Sequence, residues 1–135
     1  MESKNLSIYC ITDKQINYLK SLKLKIVVGG SFFKKENFPK SWFLDHTKIN
    51  ISKKNNNYGS LTSIYWIWQN ELNNYTNNTW IGISHYRRFW LKENHDKTIT
   101  LKNLSKNLLY NISDKNLKYD AFIASPQNLQ GYKLI

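Results

Sequence analysis

Short apolar stretches alternate with longer mixed stretches along this chain of 135 residues. Residues 6–12, 24–30 and 79–84 are short, apolar and rich in β-branched side chains, which predicts three buried strands. In the third, the isoleucines at 81 and 83 face one way, and the glycine at 82 and serine at 84 face the other. Residues 119–125 predict a last strand, ended by Pro126.

Three helices are predicted between these strands. Asp13 is placed to cap a helix that runs to about Leu22. Residues 58–75 predict the clearest helix, whose apolar face leaves Trp66 to one side. That face consists of Leu61, Ile64, Tyr65, Trp68 and Leu72. A further amphipathic helix is marked by Leu101, Leu104, Leu108 and Ile112.

Strands that alternate with helices predict an α/β fold, with a mainly parallel sheet flanked by helices. Residues 31–57 have no clear period and predict a loop-rich region. The length favours one domain over residues 1–135, and no internal repeat or linker divides it.

The composition is that of a globular protein, with 41% hydrophobic and 15% aromatic residues. No apolar run is long enough for a membrane span, and the first residues lack the pattern of a signal peptide. We therefore expect a cytoplasmic protein, and a peripheral position at the inner face of the membrane stays open. The single cysteine, Cys10, lies in an apolar stretch and is expected in the core.

The net charge of +11 has two explanations. A charge this high is typical of proteins that bind nucleic acid, anionic membranes or anionic substrates. It also follows from the lysine- and asparagine-rich composition expected of an AT-rich coding sequence. The lysines are scattered, and their densest pairs are Lys34–Lys35 and Lys53–Lys54. We favour the compositional explanation and do not expect nucleic acid as the partner.

The two arginines of the chain are adjacent, Arg87 and Arg88, whereas the other 18 basic residues are lysines. They follow the strand at 79–84, and ligands of open α/β sheets bind outside the carboxyl ends of the strands. A guanidinium group is a planar fork of donors suited to phosphate oxygens. With His85 and Tyr86, the arginines predict a phosphate or diphosphate site. The alternative is that they only solvate the strand end.

Other chemistries find little support in the sequence. The three histidines, at 46, 85 and 95, lack the spacing of metal ligands, so we expect no metal site. The chain has no glycine-rich phosphate loop and no nucleophile elbow. It also lacks the aromatic pattern of RNA-binding sheets.

The segments NISKKNNNYGSLTSIYWIWQN (residues 50–70) and WIGISHYRRFW (residues 80–90) resemble a bacterial family catalogued as a domain of unknown function. Its members are expected to be glycosyltransferases, from gene clusters for capsule, lipopolysaccharide and exopolysaccharide assembly. The resemblance covers about residues 6–125. The matching positions include Asn50, Ile51, Ser52, Asn55, Tyr58, Leu61, Thr62, Tyr65, Trp66, Trp68, Asn70, Ile81, Gly82, His85, Tyr86, Arg87 and Arg88.

The resemblance implies the nucleotide-sugar transferase fold called GT-A, with a Rossmann-like half that binds the donor. In many such enzymes the strand matching residues 79–84 ends in an Asp-x-Asp motif that holds a metal. Here His85, Tyr86 and Arg87 stand in its place, so the arginines are expected to neutralise the diphosphate without a metal cofactor, although a divalent cation stays open. The donor contacts implied are His85, Tyr86, Arg87, Arg88, Asn50, Ser52, Asn55, Thr62 and Trp66.

The expected function is sugar transfer from a nucleotide-sugar donor to a saccharide acceptor, which can be lipid-linked, in surface polysaccharide biosynthesis. No catalytic base is assigned, and Asp13, Asp45 and Asp120 are only candidates. The family domain is longer, so we expect a donor-side part truncated at the C-terminus. The alternatives are a non-catalytic basic module that binds anions or nucleic acid, and an inactive relic.

Overall fold

The computed structural model describes residues 5–125, and in this part of the chain four parallel strands form one sheet. The predicted α/β class is therefore confirmed, as are the three predicted strands at 6–12, 24–30 and 79–84. The strands are β1 (Asn5–Thr12), β2 (Lys25–Val28), β3 (Phe43–Leu44) and β4 (Thr79–His85). Their order across the sheet is β3-β2-β1-β4.

The helices between the strands are short. They are α1 (Asn55–Tyr58), α2 (Leu61–Asn70) and α3 (Leu104–Asn107). Single 3-10 turns lie at Asn17–Ser21, Ser31–Phe33, Ser52–Lys54, Leu72–Asn74 and Asp114–Asn116. Between residues 5 and 125, no helix has both the length and the apolar character needed to cross a membrane.

The central strand β1 separates two apolar clusters on opposite faces of the sheet. Tyr9 and Val27 pack under α2, where Trp66 and Ile67 cover them. Cys10 lies on the other face, fully buried against Leu19 and Trp42 among other side chains. Burial raises the pKa of the Cys10 thiol to about 11, although a bond with Ser84 lowers it somewhat.

The alternation predicted in β4 is confirmed. Ile81 and Ile83 pack into the cluster under α2. On the other face, a Cβ atom at Gly82 would lie 2.9 Å from Cγ1 of Ile8. Because a side chain has no room there, β4 can approach β1 closely only with glycine at this position.

The predicted apolar face of α2 is wrong. The helix buries Thr62, Ser63, Trp66 and Ile67. Leu61 and Trp68, which belong to the predicted face, are 55% and 59% exposed. The hydrophobic pattern misleads because hydroxyl side chains occupy the inner face of the first turn. Thr62 belongs to a polar cluster described below, and the buried Ser63 hydroxyl forms no hydrogen bond with residues 5–125.

The predicted helix from Asp13 to Leu22 is also wrong. The Thr12 hydroxyl donates to the Lys14 carbonyl at 2.7 Å and accepts from the Lys14 amide at 3.2 Å. This turn holds residues 12–14 in a conformation that does not continue into a helix. Only a 3-10 turn follows, at Asn17–Ser21, and no side chain caps it.

The predicted helix marked by residues 101–112 is wrong over most of its length. Only the turn of α3 forms, because the Asn107 side chain bonds to Asp96. Its Nδ2 donates to the Asp96 carboxylate at 3.1 Å, and its Oδ1 accepts from the Asp96 backbone amide at 2.8 Å. After α3 the chain is extended: Leu108 bridges to Leu91, and the Leu109 amide donates to the Trp90 carbonyl at 2.9 Å. Long-range pairing has replaced a helix whose intrinsic preference is weak.

Residues 119–125 do not form the predicted strand, and Pro126 lies outside the described residues. The Phe122 ring packs against Trp80 instead, with 5.2 Å between ring centroids. On the outer edge of β4, the Ile83 carbonyl accepts a bond of 2.8 Å from Trp90 Nε1. A groove of about 780 Å³, lined by both apolar and polar side chains, runs beside this edge.

Candidate functional site

The order of the strands defines where a ligand is expected to bind. From β1 the chain extends the sheet to one side through β2 and β3, and β4 is then added on the other side of β1. In open α/β sheets, such a reversal leaves a crevice at the carboxyl ends of the two strands. Residues 12–14 and 85–88 lie at these two ends.

A tight turn follows β4 and carries the arginine pair. The amide of His85 donates to the Arg88 carbonyl at 3.2 Å, and the amide of Arg88 donates to the His85 carbonyl at 2.9 Å. Tyr86 and Arg87 therefore lie at the tip. The Tyr86 amide donates to the Ile11 carbonyl at 3.0 Å, and the Tyr18 hydroxyl donates to the Tyr86 carbonyl. These bonds anchor the turn to the rest of the fold.

Two cations stack on the Tyr86 ring. Lys14 Nζ lies 5.4 Å from the ring centroid, and Arg87 Cζ lies 5.0 Å from it. Both Arg87 and Arg88 are exposed, and neither takes part in the ion pairs found among residues 5–125. The carboxyl ends of β1 and β4 thus present three cations that form no ion pair with a described carboxylate, although Asp13 lies beside Lys14 in the chain. Such a group of cations is suited to a phosphate or diphosphate.

The imidazole of His85 is half-buried at the base of this turn. Burial and the nearby charge of Arg88 both lower its pKa below the ordinary value. The ring is therefore neutral at pH 7 and can donate or accept a hydrogen bond without adding charge.

A second polar cluster surrounds Asp45. This residue directly follows β3, the edge strand on the other side of β2 from β1. The carboxylate is fully buried and has no cationic partner among residues 5–125. Burial alone would raise its pKa, but the bonds that it accepts lower the pKa below the ordinary value. The five donors are the amides of Gly30 and Ser31, at 2.9 Å each, and the hydroxyls of Ser31, Ser52 and Thr62, at 2.7, 2.6 and 2.6 Å.

Four of the predicted donor contacts belong to this cluster or its loop. Ser52 and Thr62 are fully buried, and their hydroxyls donate to Asp45. The Asn55 amide group donates to Thr62 Oγ1 at 2.9 Å. Asn50 donates to backbone carbonyls at 46 and 48, both at 2.9 Å. These polar side chains organise residues 45–62, and none of these bonds reaches the arginine turn.

Asn55 also explains the second glycine of the predicted Gly29–Gly30 strand end. Gly30 has a φ of +62°, and a Cβ atom there would lie 2.6 Å from Asn55 Oδ1. Both the left-handed backbone and the close side chain favour glycine.

The last predicted contact, Trp66, lies in the core. Its side chain is 1% exposed, and Nε1 donates to the Thr47 carbonyl at 2.9 Å. The structure therefore leaves no surface of this indole for a ligand. Of the predicted site residues, it brings His85, Tyr86, Arg87 and Arg88 together at one strand end.

Sequence reasoning missed Lys14 and the ring contact that links it to the arginine turn. It named Asp45 only as a possible base, whereas the structure makes it a buried acceptor of five bonds. The signal that could have found Asp45 is its place directly after the apolar residues 42–44, at a strand end.

His46 has a defined tautomer in this cluster. The Ser31 hydroxyl lies 2.7 Å from Asp45 Oδ1 and 2.8 Å from His46 Nδ1. An ionised carboxylate only accepts, so the hydroxyl proton points to Asp45 and Nδ1 of His46 must donate. Nε2 of this exposed ring forms no hydrogen bond with residues 5–125.

No three His, Cys, Asp or Glu side chains in residues 5–125 come together as metal ligands do. A metal-independent site stays a prediction from the sequence.

The fold with this strand order is glycosyltransferase-like. The apo structure of WbbM, a bifunctional glycosyltransferase, aligns with a TM-score of 0.52 at 27% identity, over 70% of this chain and 16% of the WbbM chain. Residues 7–133 match the family described as Domain of unknown function (DUF4422), and the chain belongs to that family. The predicted relation to a glycosyltransferase-related family is thereby confirmed. No curated protein matches the chain.

Proposed function

We propose that this chain is the donor-binding part of a glycosyltransferase that uses a nucleotide sugar in surface polysaccharide biosynthesis. The observation that carries the proposal is the group of unpaired cations, Lys14, Arg87 and Arg88, at the strand ends where the sheet reverses. The similarity to WbbM supports it, although the chain spans only 16% of that protein.

The chemistry of transfer explains why cations are needed there. The bond between the sugar carbon and the diphosphate oxygen breaks, and the acceptor hydroxyl oxygen forms the new bond to that carbon. Negative charge then develops on the departing diphosphate. Arg87 and Lys14, held on the Tyr86 ring, stabilise this charge, and the neutral His85 offers a hydrogen bond beside them. The saccharide acceptor and its base are not assigned.

Calorimetry of the full chain against nucleoside diphosphates and nucleotide sugars tests the proposal. We expect one nucleotide to bind with and without Mn²⁺, and Arg87→Ala to weaken it at least about tenfold, the loss expected for one charge-assisted contact. The matched control is Lys97→Ala, which removes an exposed charge elsewhere. Binding that needs Mn²⁺ contradicts the metal-free site, and equal losses in both variants contradict the donor site.

The high positive charge supports one alternative, a basic module that binds polyanions without catalysis. This module would bind single-stranded oligonucleotides, and its affinity would fall steeply with salt because counterions are released. Tight oligonucleotide binding together with no response to any nucleotide would favour it over the glycosyltransferase.

A further inference from the structure

The two densest lysine pairs of the chain meet in the structure, together with two phenylalanines. The Phe32 amide donates to Ser52 Oγ at 3.2 Å, which joins the turn at Ser31–Phe33 to the turn at Ser52–Lys54. Lys53 Nζ lies 4.8 Å from the centroid of the Phe32 ring. We call this surface the Phe–Lys patch; it consists of Phe32, Phe33, Lys34, Lys35, Lys53 and Lys54.

The aromatic side chains of the patch are unusually exposed for their type. Phe32 is 49% and Phe33 is 52% exposed, and their rings pack edge to face with 5.2 Å between centroids. The four lysines are exposed, and the ion pairs among residues 5–125 do not include them. Two adjacent exposed phenylalanines beside exposed lysines are a candidate interaction surface.

The patch has a rigid base. Ser31, next to Phe32, is 3% exposed, and both its amide and its hydroxyl donate to the buried carboxylate of Asp45. Ser52, next to Lys53, donates to the same carboxylate at 2.6 Å. The Asp45 cluster therefore presents the phenylalanines and lysines in a fixed arrangement, so little ordering is needed when the patch binds.

We propose that the Phe–Lys patch docks the protein on an anionic membrane surface. Phenyl rings without a polar tip favour the boundary between headgroups and acyl chains, and lysines are attracted by anionic headgroups while their stems lie along the apolar layer. The patch offers both in one place: two rings for insertion and four charges around them.

The geometry favours a membrane over nucleic acid. Single-stranded nucleic acid needs open aromatic faces on which bases stack. One face of the Phe32 ring is already covered by Lys53, and the two phenyl rings pack edge to face.

Charge distinguishes this patch from the outer face of α2. The outer face of α2 also exposes Leu61 and Trp68, by 55% and 59%. However, residues 55–86 contain neither lysine nor arginine, so that face lacks the complementarity to an anionic bilayer. It serves as the control surface.

The patch lies at the functional edge of the sheet. It follows Gly29–Gly30 at the carboxyl end of β2, and the arginine turn lies at the carboxyl end of β4 in the same parallel sheet. Docking through the patch brings this edge to the membrane surface. If the proposed function holds, the donor site then faces lipid-linked saccharide acceptors; this last step rests on that function, and the docking itself does not.

Co-sedimentation of the full chain with vesicles tests the docking. The vesicles contain phosphatidylglycerol and phosphatidylethanolamine, and vesicles of phosphatidylcholine alone are the uncharged reference. We expect binding to the first only. Lys53→Gln with Lys54→Gln should weaken it about thirtyfold, since each lysine near an anionic surface contributes about 1 kcal/mol. Phe32→Ser with Phe33→Ser should weaken it at least about tenfold.

Matched variants keep the result interpretable. Lys97→Gln with Lys102→Gln removes the same charge from another exposed region, and Leu61→Ser with Trp68→Ser removes exposed apolar area from α2. Both should keep at least about half of the vesicle affinity, and the melting temperature of every variant confirms folding. If the phenylalanine variant does not fold, Lys34→Gln with Lys35→Gln replaces it.

Three outcomes overturn the proposal: no binding to anionic vesicles, equal losses in the patch and control variants, or tighter binding to a single-stranded oligonucleotide that depends on Phe32 and Phe33. The nucleotide calorimetry above contains no lipid and tests only the donor site, whereas the co-sedimentation tests only the docking surface. Failure of one proposal can therefore be distinguished from failure of the other.

Discussion

Asp45 shows how a single residue can organise a segment that has only short regular elements. Its buried carboxylate accepts five bonds, from both flanks of the loop and from the first turn of α2. Bonds to a charged acceptor are about twice as strong as neutral ones. The cluster therefore ties together residues 31–57, whose regular elements are short: β3, two 3-10 turns and the start of α1.

Replacement of Asp45 by asparagine tests this role. The amide NH₂ group would face donors, so we expect Asp45→Asn to lower the free energy of unfolding by about 3 kcal/mol at pH 7. Urea denaturation measures the change, with Asp120→Asn, at an exposed carboxylate, as the matched control. A loss below about 1 kcal/mol would contradict the role given to the carboxylate.

The pH dependence of the same pair of proteins is a stricter test. The bonds hold the folded-state pKa of Asp45 below its ordinary value of 3.8, although burial opposes them. The stabilisation is therefore fully present only well above the unfolded-state pKa, and it is lost as the pH falls through the folded-state pKa. The unfolding free energies of the native protein and of Asp45→Asn should converge only in that acid range.

The sequence was informative about the arginine turn, whereas it offered Asp45 only as a candidate base and did not predict its role as a buried acceptor. Arg87 and Arg88 are adjacent in the chain and follow a strand of clear composition, so their position could be predicted from local signals. The donors to Asp45 come from positions between 30 and 62 without any period. Only the folded loop reveals that they share one acceptor.

At the scale of elements, α2 shows why periodicity can identify a helix and misplace its face. The sequence predicts the helix but assigns its apolar stripe to Leu61 and Trp68, which the structure exposes. The inner face instead combines Trp66 and Ile67 with two hydroxyl side chains of the first turn. A polar residue that is buried for its hydrogen bonds cannot be told from a solvent-exposed one by hydropathy.

The two tryptophans of α2 provide a matched test of the true face. Trp66→Ala should lower the free energy of unfolding by about 3–5 kcal/mol, because it leaves a cavity under the helix and removes the bond to the Thr47 carbonyl. Trp68→Ala should change it by no more than about 0.5 kcal/mol. Chemical denaturation of both variants measures these free energies. Similar losses of stability in the two variants would contradict the burial of Trp66 and the exposure of Trp68.

Long-range pairing decided the remaining elements. Strands β1, β2 and β4 were predictable because each is short, apolar and rich in β-branched residues. The helix predicted around Leu104 and Leu108 failed because Leu108 pairs with Leu91, a contact that no local pattern announces. The strand predicted at 119–125 failed because its aromatic residues pack against β4 from the side, without pairing to it.

At the scale of the whole molecule, the parallel sheet brings the proposed binding groups to one edge. The arginine turn, the exposed His46 ring and the Phe–Lys patch all follow carboxyl ends of strands or the loops attached to them. The α/β class was predictable from the alternation of elements. The strand order was not, because it depends on which strands lie beside β1, and hence neither was the meeting of these groups.

The buried position of Cys10 allows the rate at which the native fold opens to be measured by thiol labelling. Cys10 is the only cysteine of the chain and lies fully buried in the central strand. Its thiol pKa of about 11 keeps it protonated at neutral pH. In the native state an aqueous thiol reagent therefore cannot reach the sulfur and has no thiolate to react with. In the unfolded chain the same thiol reacts freely. At high reagent concentration and neutral pH, the labelling rate should equal the rate at which the sheet opens, and it should rise in Trp66→Ala but not in Trp68→Ala. The absorbance change during labelling would then give the lifetime of the native fold without denaturant. Labelling as fast as that of a free thiol would show that β1 is not the protected centre of the sheet.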